Sequence, residues 1–500
     1  MPVLPHDVST ALRLMECDAA RTWTIGVLAA ACGVAPRTLQ KHFRRFVGEP
    51  PLRILCAYRF EHARRALLRP RAGETVTEVA LRCGFTHLGR FAVEYRERYG
   101  ETPSATLQRR RAVFRQAIAL PPLDRRRDRP TLAVLRFEAS AGAEAHAAAM
   151  ADDIAVALAR LRAITLTARA GASYHLHGRV RAADGRVRVT ILLSEAATGR
   201  LVWADRWDHF GSDVFAGSEQ VSARIARAIE PSIRAAEMDC AWRKDRAALN
   251  PWQLTMRALS CAISFEAKSE DMAIDLLDQA MTMAPHDPLP AALASWCHGL
   301  RAGHHFTPRP DDDRKAARAL AMRAAQINAA DPWAETFLAA GYTLAHDLGA
   351  AALHAERALA LDGGSAWAWG RSAWIAAYGG EAREAVERFH IARNLAPGDP
   401  LTFLHAIGIG SAHLEAGRYN DAVRWYERAL VERPNAVWND RFRAAGYALA
   451  GRKEQASATL ARFTRAFPDL TIAQIRTGLP HTPSFLDRVS EGLESAGMRQ

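Results

Sequence analysis

The 500-residue sequence is as informative in what it lacks as in what it carries. No stretch approaches the roughly 20 apolar residues that cross a bilayer, so no membrane span is expected. The start, MPVLPHDVSTALRL, has no basic segment followed by an apolar run, and no secretory signal is expected there. Seven cysteines are scattered at 17, 32, 56, 83, 240, 261 and 297 without a Cys-x-x-Cys pair. That argues against a zinc cluster or disulfide framework and favours reduced thiols in a cytoplasm. Also missing are a glycine-rich phosphate loop, a nucleophile motif and a catalytically spaced carboxylate pair. Neither enzymatic activity nor a cofactor or metal is therefore expected. His175 and His177, two apart on a strand, lack a third ligand and read as ordinary sheet residues.

Lysine is scarce where positive charge is dense. Residues 1–129 hold 23 Arg, one Lys and 12 acidic residues, a net of +12, whereas the remainder is neutral. A basic module joined to a neutral body suggests a polyanion-binding head.

Three regions follow from the patterning. Residues 8–108 read as short helices, and 109–130 as a basic, Pro-containing linker. From 131 the period becomes two, with Asp184-Gly185 and Thr198-Gly199 as turns between alternating runs and helical stretches at 145–161 and 213–245. From 254 the chain is helical and Ala-rich. Ala273, Ala317, Ala351, Ala385, Ala422 and Ala456 recur at intervals of 44, 34, 34, 37 and 34 residues. Seven positions after each stand Ala280, Ala324, Ala358, Ala392, Ala429 and Phe463. The repeating unit resembles the tetratricopeptide repeat, in which small residues let paired helices approach closely. Trp367, Trp369 and Trp374 on one repeat helix read as core. The loop GHHFTPRPDDD, with His304, His305 and Asp311–Asp313, lengthens the second repeat and is a candidate binding-face or disordered loop.

The head carries two similar elements. TIGVLAAACGVAPRTLQKHFRRFVG (24–48) reads as an apolar helix, a turn at Gly33 and a basic amphipathic helix. Val27, Leu28, Leu39 and Phe43 are expected to face the core. A second copy begins at Thr75, with Glu78 at capping-box spacing, Gly84-Phe85 as the turn and Thr86 as the expected cap of the next helix. Between them, PLRILCAYRFEHARRALLRP is a long helix with Leu55, Phe60, Ala63 and Leu67 on its apolar face.

The Ala-x-x-x-Gly-Val turn, the Arg-x-x-x-Ala connecting helix, the Val-Ala-x-x-x-Gly-Phe element and the closing Gly-x-Thr-Pro resemble the AraC/XylS DNA-binding domain. The likeness covers about 100 of 500 residues. It implies two recognition helices on a rigid connecting helix, entering successive major grooves of double-stranded DNA. Family base contacts map onto Arg37, Gln40 and Lys41, whose side chains suit guanine and adenine edges. Arg44 and Arg45 are expected on phosphate. Ala35 stands where the family usually has a capping Ser, although Pro36 suits the first helical position. In the second helix the reading positions hold Leu88, Gly89 and Val93, which cannot hydrogen-bond a base edge through their side chains. His87, Arg90 and Arg96 are expected on the DNA backbone.

Residues 131–245, with the ending TPSFLDRVSEGLESAGM, resemble the TolB-like domain, although the stretch after Leu166 is too short for one helix usual in that family. The expected architecture is multidomain and mainly α. It comprises an all-α double helix-turn-helix (8–108), a basic linker (109–130) and an α/β TolB-like domain (131–245). An α-solenoid of about six tetratricopeptide repeats (254–470) and a tail (471–500) follow. The expected function is sequence-specific regulation of transcription. The later modules would sense a ligand, bind a protein or peptide, or hold a homodimer, with RNA polymerase as a further partner. The alternative is an interaction scaffold with only weak, non-specific DNA attachment.

Overall fold

The computed structural model describes residues 5–68, 74–108, 129–159, 164–167, 171–183, 186–210, 218–327 and 330–498. They fall into two compact units, residues 1–116 and 117–500.

The first unit is helical: α1 (His6–Cys17), α2 (Ile25–Ala31), α3 (Pro36–Phe46), α4 (Pro51–Leu68), α5 (Val76–Arg82) and α6 (Leu88–Tyr99), then a helical turn at 103–108. Its apolar residues gather into two small cores. One joins Val8, Ala11, Met15, Leu28, Leu39 and Phe43 to Leu55. The other joins Phe60, Ala63 and Leu67 to Val79, Phe91 and Tyr95. Helix α4 contributes to both, so its 18 residues hold the two halves at fixed spacing.

In the second unit, strands β1 (Thr131–Val134), β2 (Glu138–Ala139), β3 (Thr165–Leu166), β4 (Tyr174–Ala183), β5 (Arg186–Glu195) and β6 (Leu201–Phe210) form one sheet. Its order is β3-β1-β4-β5-β6, with β2 beside β4. The Asp184-Gly185 turn lies outside the described residues, but Ala183 opposes Arg186 in the antiparallel β4–β5 ladder. Gly199 takes φ +69°, as the second expected turn requires. Helices α7 (Glu144–Ala159) and α8 (Ser218–Arg243) cover one sheet face. Met150, Ile154, Ile225 and Ile229 pack there on Leu176, Val180, Val189 and Ile191.

Six antiparallel helix pairs follow: α9 (Pro251–Ala262) with α10 (Ala267–Met283), α11 (Pro288–Gly303) with α12 (Pro310–Ile327), α13 (Pro332–Leu344) with α14 (Leu348–Leu361), α15 (Ala366–Tyr378) with α16 (Ala382–Leu395), α17 (Thr402–Glu415) with α18 (Tyr419–Glu432), and α19 (Asp440–Leu449) with α20 (Lys453–Ala466). α21 (Ile472–Gly478) and α22 (Pro483–Ala496) end the chain's helices. The twelve periodic positions, Ala273 through Phe463, all lie on the second helix of a pair, and none is more than 2% exposed. Eleven of the twelve are alanine, because a larger side chain at such a crossing would hold the paired helices apart.

Buried ion pairs join the sheet layer to the helical array. Arg234 of α8 donates to Asp399 Oδ2 at 2.7 Å and to Glu230 Oε1 at 2.7 Å, with its guanidinium 3.8 Å from the Trp367 ring centre. Trp367 Nε1 donates to the same Asp399 oxygen at 2.7 Å. Residues 109–128 of the expected linker lie outside the described residues, but Arg129 is docked, paired with Asp331 at 2.5 Å and Asp287 at 3.2 Å. The lengthened second repeat departs from the expected loop. Asp311–Asp313 form the first turn of α12, Asp313 is buried 2.6 Å from His298 Nδ1, and His304 is 5% exposed. Trp367, Trp369 and Trp374 are buried. His177 Nε2 lies 3.0 Å from Ser194 Oγ across the β4–β5 ladder.

Candidate nucleic-acid interface

The first helix-turn-helix is built from local signals. Thr24 caps α2 by accepting from Val27 N at 3.2 Å, and Gly33 takes φ +69° between α2 and α3. Pro36 opens α3 at its first position, while Ala35, in the cap position, offers no side-chain hydrogen bond. Leu39 and Phe43 are fully buried, which fixes the rotation of α3. Arg37, Gln40, Lys41 and Arg44 stand at i, i+3, i+4 and i+7 on the opposite, exposed face, and Arg45 is exposed at its margin. Val27 departs from the expected core position. It is 42% exposed, because in the seven-residue α2 it is Leu28 and Ala29 that enter the core.

Two contacts that the motif reading missed hold this helix. His42 Nδ1 of α3 lies 2.8 Å from Asp7 Oδ2 of α1. Arg59 of α4 donates through Nε to Ala19 O at 2.8 Å and through Nη2 to Arg21 O at 2.9 Å, pinning the loop before α2. A histidine on the buried flank of an otherwise basic helix is a faint sign of the first. Nothing local in sequence marks the second.

The second element begins with a complete capping box: Glu78 N donates to Thr75 Oγ1 at 3.2 Å and Thr75 N to Glu78 Oε2 at 2.7 Å. The bonds that Thr75 N and Thr75 Oγ1 donate to the Glu78 carboxylate hold it below the usual carboxylate range. Phe60 and Phe91 stack at 5.6 Å under α6. Helix α6 starts at Leu88, one residue later than a Thr86 cap requires. His87 occupies the cap position, without a side-chain bond. Buried Arg64 donates to Glu101 Oε1 at 2.7 Å and Tyr95 OH at 3.2 Å, closing the unit around the Gly-x-Thr-Pro segment.

The outward face of α6 differs from that of α3. Leu88 is 37% and Val93 59% exposed, with Gly89 between them. His87, Arg90 and Arg96 are exposed, but Arg90 Nε already donates to Glu94 Oε1 at 2.6 Å. One helix thus presents donors suited to base edges, and the other a short apolar strip flanked by cations.

Residues 28–109 match the family described as "Helix-turn-helix domain". The "Probable thc operon regulatory protein" of Rhodococcus erythropolis is 42% identical over 108 residues, 21% of this chain and 32% of that protein. The "XylDLEGF operon transcriptional activator 2" of Pseudomonas putida is 36% identical over 97 residues, 19% of this chain and 62% of its own length. A crystal structure of "a probable AraC family transcriptional regulator" from Rhodopseudomonas palustris is 38% identical, covers 21% of this chain and 97% of that one, and has a TM-score of 0.20. The chain spans about a third of the first relative's length and less than two thirds of the second's. Both relatives are named for control of transcription, not for catalysis. No helix among the described residues is long and apolar enough to cross a membrane. The N-terminal unit is a helix-turn-helix domain of the AraC/XylS type.

Proposed function

We propose that the chain is a sequence-specific DNA-binding regulator of transcription, without enzymatic activity, in which α3 reads bases and α6 anchors to the backbone. The observation that carries this reading is the exposed face of α3. Arg37, Gln40, Lys41 and Arg44 are aligned opposite the fully buried Leu39 and Phe43. Arg37 and Lys41 can donate to guanine O6 and N7, and Gln40 can pair with adenine. Arg44, Arg45, His87, Arg90 and Arg96 are assigned to phosphate, which positions without reading sequence. Leu88 and Val93 offer only apolar contact, which suits thymine methyl groups and lower stringency.

We assign residues 131–245 to a TolB-like domain and 254–470 to about six tetratricopeptide repeats. The twelve buried periodic positions support the latter. These modules serve as the sensory, oligomerising or partner-binding body, whose state changes operator affinity or contact with RNA polymerase.

Selection of bound duplexes from a random pool by the full chain at moderate salt tests the reading. A regulator enriches one site and binds it about 10³-fold or more above random DNA. Uniform weak binding without an enriched site replaces the regulator with a scaffold.

A further inference from the structure

The sheet of the second unit ends on an open strand. In the order β3-β1-β4-β5-β6, one edge is β3, two residues long, and the other is β6, ten residues from Leu201 to Phe210. No strand lies beyond β6 among the described residues. A long edge offers a row of amides and carbonyls to another chain, and proteins commonly blunt one with proline, lysine or a short strand. β6 has neither proline nor lysine, and its charges are of both signs.

The ladder fixes which backbone groups point outward. Thr190 opposes Arg206 across the antiparallel β5–β6 pair, yet Arg206 N donates to Asp205 Oδ1 at 2.8 Å. The Arg206 amide is therefore turned away from β5, and by the period of two so are the backbone groups of Ala204 and Asp208. All three residues are exposed. Arg206 forms no ion pair among the described residues, while Asp208 accepts from Arg188 Nε at 2.6 Å. Trp207 lies on the opposite, helix-covered face. It is only partly buried there, and its Nε1 has no hydrogen-bond partner among the described residues.

Two copies of one edge can pair antiparallel about a twofold axis normal to the sheet. Opposed side chains then share a face, so one residue stands opposite its own copy. Centred on Arg206, this register sets arginine on arginine; centred on Asp208, it sets carboxylate on carboxylate. Centred on Trp207, it sets Arg206 opposite Asp208 twice. Arg206 and Asp208, whose backbone faces outward, then form the hydrogen-bonded pairs. Trp207 takes the non-hydrogen-bonded position, where opposed side chains come closest. Opposite charges stabilise such cross-strand pairs and like charges oppose them, so these two residues select one register against its neighbours.

We propose that β6 is a homodimer interface. A second copy of this chain adds its own β6 antiparallel along the edge, with Trp207 against Trp207 and Arg206 against Asp208 of the partner subunit. The inference rests on the oligomerising role assigned to the body of the proposed regulator. It is measured without DNA, so its failure and that of the DNA reading are separate results.

The test is sedimentation equilibrium of the full chain across micromolar concentrations. The wild type gives twice the chain mass of 54.9 kDa. Arg206→Asp sets carboxylates opposite each other twice and weakens association about tenfold or more. Asp208→Arg, which gives up only an exposed pair with Arg188, sets arginines opposite each other to the same effect. An equimolar mixture of the two variants restores both oppositions and recovers the dimer to within about threefold of wild type. Both positions are exposed, and circular dichroism checks that each variant is folded. Ala204→Pro removes an outward amide, spares the β5–β6 ladder and also yields monomer. A wild-type monomer at every concentration, a dimer undiminished in folded Arg206→Asp, or no recovery in the mixture overturns the proposal.

Discussion

Gly84 in the second turn is pressed against Arg59 of the connecting helix: a Cβ there would sit 3.0 Å from Arg59 Nε and 2.8 Å from Ala20 O. Arg59 in turn holds the loop that precedes the first helix-turn-helix. The turn of one half is thus packed on the anchor of the other.

Gly84→Ala should consequently destabilise the first unit more than Gly33→Ala. Both glycines have positive φ, which costs a side chain about 1 kcal/mol or more. Gly33 has open space where a Cβ would go, whereas Gly84 meets backbone. Overpacking adds about 1–3 kcal/mol at Gly84. Urea unfolding of the two variants, followed by loss of DNA affinity, should rank them in that order; equal losses would refute the packing argument.

Ala35→Ser should stabilise α3. Ala35 already has the extended cap geometry, φ −69° and ψ 145°, and lacks only an acceptor. The gain expected is about 1 kcal/mol. It should appear as a higher unfolding midpoint with unchanged sequence preference, since the hydroxyl bonds to the helix's own amides.

The sequence announces what local chemistry decides. Glycine turns, the Thr75–Glu78 box and the alanine period are each legible because one residue type solves one local problem. Val27 and Thr86 were misplaced because rotation and start of a short helix are set by packing partners distant in sequence. Asp311–Asp313 looked like loop because three acids break an apolar pattern, yet acids favour a helix N-terminus. Arg441 gives no signal, since arginine on an Ala-rich helix reads as solvent-facing until neighbouring helices bury it.

Contacts of the two recognition helices should separate in a binding titration. Arg37→Ala or Gln40→Ala should cost about 1–3 kcal/mol on the preferred site and little on random DNA. Arg44→Ala should weaken all duplexes alike and reduce the salt slope by about 1. A discriminating loss at Arg44 equal to that at Arg37 would overturn the division of roles.

Glu94 should act as a brake on binding. It holds Arg90 at 2.6 Å on an exposed face, so a phosphate bound to Arg90 would have to displace it. Such an exposed pair is weak and screened by solvent, so its release costs little. Glu94→Gln should therefore raise affinity about two- to fivefold on every sequence, an effect absent in an Arg90→Ala background. Persistence there would mean that Glu94 acts by long-range repulsion of the duplex.

Mild acid should act on the second unit through a buried imidazole. His405 of α17 is 4% exposed and packs against Gly370, where a Cβ would lie 2.5 Å from Nε2. Burial, then Arg371 and Arg393, push its imidazole down to about 3, with Glu432 opposing weakly. The unfolded chain protonates that ring near the ordinary value of about 6.5. Stability from keeping it neutral is thus fully present above about 6.5 and is lost as the pH falls toward 3. Between pH 7 and pH 5 this residue alone removes about 2 kcal/mol. Urea unfolding followed by tryptophan fluorescence reports this unit, which holds all of the 12 tryptophans except Trp23. Burial raises the Glu230 carboxyl to about 7, which works in the opposite direction over this interval, so the difference between two proteins is the readout: between pH 7 and pH 5 His405→Asn should gain about 2 kcal/mol relative to the wild type. An unchanged pH slope in the variant would show that His405 titrates normally and that its surroundings are wetter than their packing implies.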